Sequence, residues 1–216
     1  MKPRSPIKVN LAARAANAEI RRRQTRKRLI EAGLAVLAEK GLTASIEDYA
    51  AAAGVSRGTF YNYFPTTGDL LGAIRRMIMR NAGVELAPAL EGMADPAMRL
   101  ATLSFHLIDF ARRNPTQGWA GLHLERLQPS RRAGDTDPFD AVLSAGVAQK
   151  RFREVDVWAA RTLVTGAVRM AIHDALTVDP PPGHAQAIVA LILAALGLEP
   201  GEAEAVAAEA AARPGG

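Results

Sequence analysis

Residues 54–64 read G-V-S-R-G-T-F-Y-N-Y-F. The whole chain has six Phe, three Tyr and two Trp, and four of these residues, Phe60, Tyr61, Tyr63 and Phe64, fall in this stretch. So dense a group is either a small core or a surface built to touch something, and the flanking residues decide how it divides. Ser45 opens S-I-E-D, a serine followed three residues later by a carboxylate, which is the capping-box pattern for a helix start. That helix extends no further than Ala53, because Gly54 breaks it. Val55 and Ser56 complete a three-residue turn, and Ser56 is placed to cap a helix beginning at Arg57. A short helix, a turn with glycine and a second short helix are the sequence form of a helix-turn-helix. In helical phase, Phe60 and Phe64 share an inner face with Tyr49, Ala53 and Val55, and Ala50 is small where the two helices cross. Arg57, Gly58, Thr59, Tyr61 and Asn62 take the opposite face, with Tyr63 on the flank.

Upstream, Leu29, Ile30, Gly33, Leu34 and Leu37 recur at three- and four-residue spacings, and Lys40-Gly41 supplies a cation and a terminating residue, so a helix is expected over about 24–40. Residues 1–23 mix prolines, alanines and bases without an apolar stripe and read as a basic, flexible arm. Downstream of Pro65, Thr66 and Thr67 cap an apolar-faced helix over about 67–83. Further helices are expected near 95–113, 115–128, 138–151, 155–177 and 184–197, with an alanine-rich tail helix at 201–211. The clearest breaks are R-R-A-G-D-T-D-P at 131–138 and V-D-P-P-P-G at 178–183. The fold class is therefore all-α: the arm, a helix-turn-helix unit at 24–68, and a larger helical domain over 84–216.

Charge separates the two ends. Residues 1–80 hold fifteen Lys/Arg against six Asp/Glu, whereas residues 81–216 hold twelve against sixteen. A basic, structured end followed by an acidic helical one is the footprint of a protein that meets nucleic acid. The absence of cysteine excludes disulfides, thiolate metal sites and cysteine nucleophiles. The start M-K-P-R-S-P-I-K has no signal-peptide core and the longest apolar run, 187–196, is too short to span a bilayer, so a cytoplasmic location without membrane contact is expected.

The stretch G-V-S-R-G-T-F-Y-N-Y-F, the A-A-A-G-V-S turn before it and P-T-T-G-D-L-L after it resemble the TetR family of bacterial transcriptional regulators over about residues 25–75. The resemblance implies a homodimeric repressor whose two third helices enter successive major grooves of a palindromic, double-stranded operator, and which releases it when a small molecule binds the C-terminal domain. It implies further that Ser45 meets a phosphate, that Ser56, Arg57, Gly58, Thr59 and Asn62 approach the groove, and that Tyr61 and Tyr63 hold the backbone. Two positions depart from the family pattern. Thr67 stands where a lysine is frequent, and Glu47 stands where a basic or polar residue often reads a base; a carboxylate there repels phosphate unless it accepts from a cytosine amino group. The arm, through Arg21, Arg22, Arg23, Arg26, Lys27 and Arg28, is expected to reach phosphates or the minor groove and offset those losses.

In the larger domain, Phe105, His106, Phe110, Trp119, His123, Met170 and His173 are the candidates for contact with a small-molecule effector, alongside their alternative as core residues. Asp109, Phe139 and Trp158 punctuate the same apolar faces. If His106 and His123 share a cavity, a ligand bearing a carboxylate or hydroxyl is favoured. Ala160, Val164, Ala167, Ala187, Leu191 and Ala194, with small neighbours such as Gly166, suit either a two-fold helical dimer interface or close packing within one chain. An enzyme is the rival class, resting on His173-Asp174 and on His106 with Asp109, but no nucleophile, phosphate loop or metal triad accompanies them, so neither catalysis nor a cofactor or metal is expected. A helical adaptor without DNA binding is the third reading.

Overall fold

A computed structural model describes residues 11–125, 138–178 and 180–213, and among them every regular element is helical. The first ten residues of the expected arm, the end of the helix expected at 115–128, most of the loop at 131–138 and one residue of the loop at 178–183 lie outside those residues. Helix α1 runs Leu11–Lys40. The helix was expected to begin near residue 24, after a flexible arm; instead residues 11–23 already belong to it. Periodicity could not find this half because it buries nothing: residues 14–24 are exposed throughout. Its helicity follows from composition, alanine and arginine being strong helix formers, and from i,i+4 pairing of Glu19 with Arg23 at 2.9 Å.

From Leu29 onward α1 turns a buried face, Leu29, Val36 and Leu37, into a core shared with the next three helices. Gly33 permits a close approach: a Cβ there would lie 3.2 Å from both Leu70 and Ile74 side chains. A single 3-10 turn, Gly41–Thr43, leads to α2 (Ile46–Ala52) and, across Gly54 with φ 63°, to α3 (Arg57–Tyr61). Both caps expected from sequence form. Ser45 Oγ accepts from the Asp48 amide while the Asp48 carboxylate accepts from the Ser45 amide, and Ser56 Oγ accepts from the Thr59 amide. Tyr49, Phe60 and Phe64 are almost wholly buried.

Helix α4 spans Thr67–Leu90, seven residues beyond the expected end. Gly83 costs about 1 kcal/mol in a helix interior, but Ala82 and Leu86 on either side of it are buried and carry the helix into the larger domain. There α5 (Pro96–Arg113) runs through the interior, surrounded by α6 (Pro115–Glu125), α7 (Pro138–Ala148), α8 (Val157–Thr177), α9 (His184–Ala195) and α10 (Pro200–Ala212). The larger core draws on α4, α5 and α7 to α10. The smaller one extends from the helix-turn-helix into Phe110 of α5 and Ala120 and Leu124 of α6, so the two regions are joined by packing as well as by α4.

The turn between α7 and α8 is locked from both sides. Gly146 has no room for a side chain, since a Cβ would lie 2.0 Å from the Phe152 ring. Arg151 donates to Asp95 at 2.8 Å and to Glu202 at 2.6 Å, tying the turn to the starts of α5 and α10. The Asp95 carboxyl, partly buried, is nonetheless held below the usual range by Arg151 and by the Ala97 amide.

Candidate nucleic-acid interface and effector region

The second helix of the helix-turn-helix is short, and its exposed face is organised around Arg57. The Arg57 guanidinium pairs with Glu47 of α2, lies 3.4 Å from the Tyr61 hydroxyl and stands 5.7 Å from the centre of the Tyr61 ring. Glu47, the departure that threatened to repel a phosphate, is thus neutralised by its neighbour. A guanidinium has five N–H donors, so pairing with Glu47 leaves donors for a base edge. The Tyr61 ring in turn packs edge-on against Phe60, at 5.8 Å and 87°. The buried aromatic therefore fixes the exposed one.

Ser45, Ser56, Gly58 and Asn62 are exposed, and Thr59, Tyr63 and Thr67 are half-buried. Three of these hydroxyls have local partners: Ser56 and Thr59 lie 2.9 Å apart, and Ser45 donates to Asp48 at 2.8 Å. Asp48 is also 2.6 Å from Lys40, and with that cation and the Ser45 amide beside it the carboxyl is lowered to about 2. The α2 start is thus satisfied by its own carboxylate, so Ser45 acts first as a cap. An equivalent box, Thr66 with Asp69, closes the start of α4 next to Thr67. Arg26 of α1 lies over Phe64, its guanidinium 5.0 Å from the ring centre, which brings the basic helix against the last residue of the aromatic cluster.

The candidate effector residues divide into three groups. His106 is buried with Nε2 2.9 Å from the Ala82 carbonyl, and its ring lies nearly parallel to that of Phe110, itself part of the smaller core. These two side chains tie α5 to α4, and Phe105 packs against the larger core. Trp119, His123 and His173 form a separate group between α6 and α8: the Trp119 ring lies 6.2 Å from His123 and 5.9 Å from His173. His123 also packs on the α1 end, its ring 3.0 Å from where a Gly41 Cβ would stand. His106 and His123 therefore have separate neighbours, so the condition under which the two would jointly favour a carboxylate or hydroxyl ligand is not met by their packing. Met170 is 58% exposed on the outer side of α8.

Sequence reading missed a polar stripe on α8. Arg161, Thr165 and Arg169 recur every four residues; Arg161 lies 3.5 Å from Asp140 of α7, and Arg169 lies 3.5 Å from Glu125 of α6. The Thr165 hydroxyl is buried without a hydrogen-bond partner among the described residues. The four-residue spacing was visible, but arginines in an amphipathic helix read as a solvated face.

Of the small residues suited to either a dimer interface or close packing within one chain, Ala160 and Val164 take the second role: both lie in the chain's own core, where small side chains let α8 approach its neighbours. Ala167 packs against that core as well. The outer side of α8 and α9 instead presents Trp158, Leu163, Met170 and Leu191, exposed by 66, 49, 58 and 71%. Ala187, Leu191 and Ala194 line an open groove of about 500 Å³ between α9 and α10. Among the described residues no helix is long and apolar enough to cross a membrane.

Residues 29–74 match the family model described as bacterial regulatory proteins, tetR family. Over 80 residues, 36% of this chain, the sequence is 41% identical to the HTH-type transcriptional repressor LfrR of Mycolicibacterium smegmatis, and the match spans only 42% of that repressor's length. The fold is similar to the crystal structure of RolR in complex with resorcinol, at 29% identity and a TM-score of 0.63, covering 90% of this chain and 96% of that one. It is similar also to the transcriptional regulator FadR from Bacillus subtilis in complex with stearoyl-CoA, with a TM-score of 0.63, over 80% of this chain and 99% of that one; at 19% identity this is a likeness of fold alone.

Proposed function

We propose that this chain, a member of the TetR family by its N-terminal unit, is a homodimeric repressor that binds a palindromic operator and releases it when a small molecule enters the C-terminal domain. The observation that carries the reading is the exposed α3 face, where Arg57 is held by Glu47 and Tyr61 while Phe60 and Phe64 fix the helix from below. In the major groove a guanidinium held in this way donates to guanine O6 and N7. Gly58 lets the backbone approach, Ser56, Thr59 and Asn62 line the groove, and Tyr61 and Tyr63 donate to phosphates. Thr67 and Ser45 frame the contact at the starts of α4 and α2.

The effector site lies between α6 and α8, where Trp119, His123 and His173 provide aromatic surface and, further along α8, Arg169 beside Glu125 of α6 and the buried Thr165 hydroxyl provide polar groups. This combination suits a small aromatic molecule carrying a hydroxyl or carboxylate, and the likeness to a resorcinol-bound protein supports the same class. The second copy is held through the apolar outer side of α8 and α9. Footprinting of the purified protein on the DNA upstream of its own gene tests the reading. Protection of an inverted repeat, lost on adding a phenol or aromatic acid, is expected. Absence of any protection would favour the adaptor reading instead.

A further inference from the structure

A groove of about 370 Å³ lies between α1 and α4, with Ile30, Ala73 and Met77 on its floor and Arg23, Arg26, Lys27, Arg76 and Arg80 around it. Glu31 is the one acidic lining residue, and it is 3.4 Å from Lys27. Among the described residues neither Arg76 nor Arg80 pairs with a carboxylate. Arg23 is paired with Glu19 and Lys27 with Glu31, which leaves Arg26, Arg76 and Arg80 as the cations that make a seat for a polyanion. The groove adjoins the expected DNA face through Arg26. Arg26 reaches over Phe64, the residue after Tyr63. Helix α4 carries Thr67 at its start and Arg76 and Arg80 further along, about 13 and 20 Å away at 1.5 Å per residue.

We infer that this groove seats the sugar-phosphate backbone of DNA flanking each half-site, a second contact beyond the helix-turn-helix; the inference rests on the DNA-binding reading above. The exposed α1 extension, with Arg14, Arg21 and Arg22, continues the same basic surface outward.

The test compares a duplex trimmed to the footprinted operator with one extended by twelve base pairs of arbitrary sequence on each side, over a range of salt. Wild type binds the extended duplex about tenfold more tightly, with a log–log salt slope steeper by about 2, since each neutralised phosphate contributes about 0.9. Arg76→Gln with Arg80→Gln abolishes this length advantage, keeps binding to the trimmed duplex and leaves the thermal midpoint unchanged. Arg112→Gln with Arg213→Gln, an equal loss of charge elsewhere, retains the advantage. A groove variant that keeps it, or a control pair that loses it equally, overturns the inference while leaving the regulator reading intact. Inorganic phosphate that raises the midpoint of wild type but not of the groove variant, with no dependence on duplex length, would assign the groove to a free anion and also overturn it. Failure of wild type on both duplexes would remove the regulator reading and the inference with it.

Discussion

Phe60 and Tyr61 are neighbours in sequence with opposite surroundings, one wholly buried and the other exposed, with Tyr61 within reach of Arg57. Removing the buried ring leaves a cavity in a small core, so Phe60→Ala is expected to destabilise the N-terminal unit by about 3–5 kcal/mol, read by chemical denaturation. Tyr61→Phe keeps the ring packed on Phe60 and removes only the hydroxyl. It is expected to leave the denaturation midpoint unchanged and to weaken operator binding on the order of tenfold, as for one hydrogen bond to a charged partner. Unchanged affinity would show that the hydroxyl meets no phosphate. This division was legible in sequence, because helical phase alone separates Phe60 from Tyr61. The Glu47–Arg57 pair was not, since it joins two helices whose relative placement phase does not provide. The effector residues were the least legible: His106 was singled out as a polar residue on an apolar face, and it satisfies itself on the Ala82 carbonyl.

At the scale of elements, caps and breakers were read more reliably than extents. Ser45, Ser56 and Thr66 all cap where their spacing places them. The first half of α1 and the last turns of α4 were missed for different reasons: one helix half has no buried face to produce a period, and the other crosses a glycine that neighbouring burial offsets. The α2 cap yields a pH prediction. The Asp48 carboxyl is held at about 2, against 3.8 ordinarily, first by the Lys40 hydrogen bond and then by the Ser45 amide. A depressed carboxyl contributes stability that is fully present above pH 4 and is lost as pH falls towards 2. Asp48→Asn is therefore expected to lower the melting temperature at neutral pH and to flatten its fall between pH 4 and 2. Parallel curves for variant and wild type in that window would contradict this role.

For the molecule as a whole, the all-α architecture and the division into a basic end and a larger helical one were legible from breakers and charge. Which side of α8 faces outward was not, because Ala160 and Leu163 are both apolar and only the packed neighbours tell them apart. The exposed positions, Leu163 and Leu191, carry the assembly prediction. Leu163→Glu with Leu191→Glu is expected to convert a species of twice the 23.0 kDa chain mass to a single chain in light scattering, and to abolish operator binding at the same protein concentration, because each half-site is held through the other. A double variant that remains dimeric would place the interface elsewhere. Whether the α3 face reads an operator is tested most directly by fluorescence anisotropy of an operator duplex, from the footprinted upstream DNA, against wild type and Arg57→Ala. Wild type is expected to bind tightly, and Arg57→Ala to lose about 1–3 kcal/mol, confined to duplexes retaining the guanine at the contacted position. Equal binding of operator and scrambled duplexes by wild type, or an Arg57→Ala loss that is the same on every sequence, would contradict it.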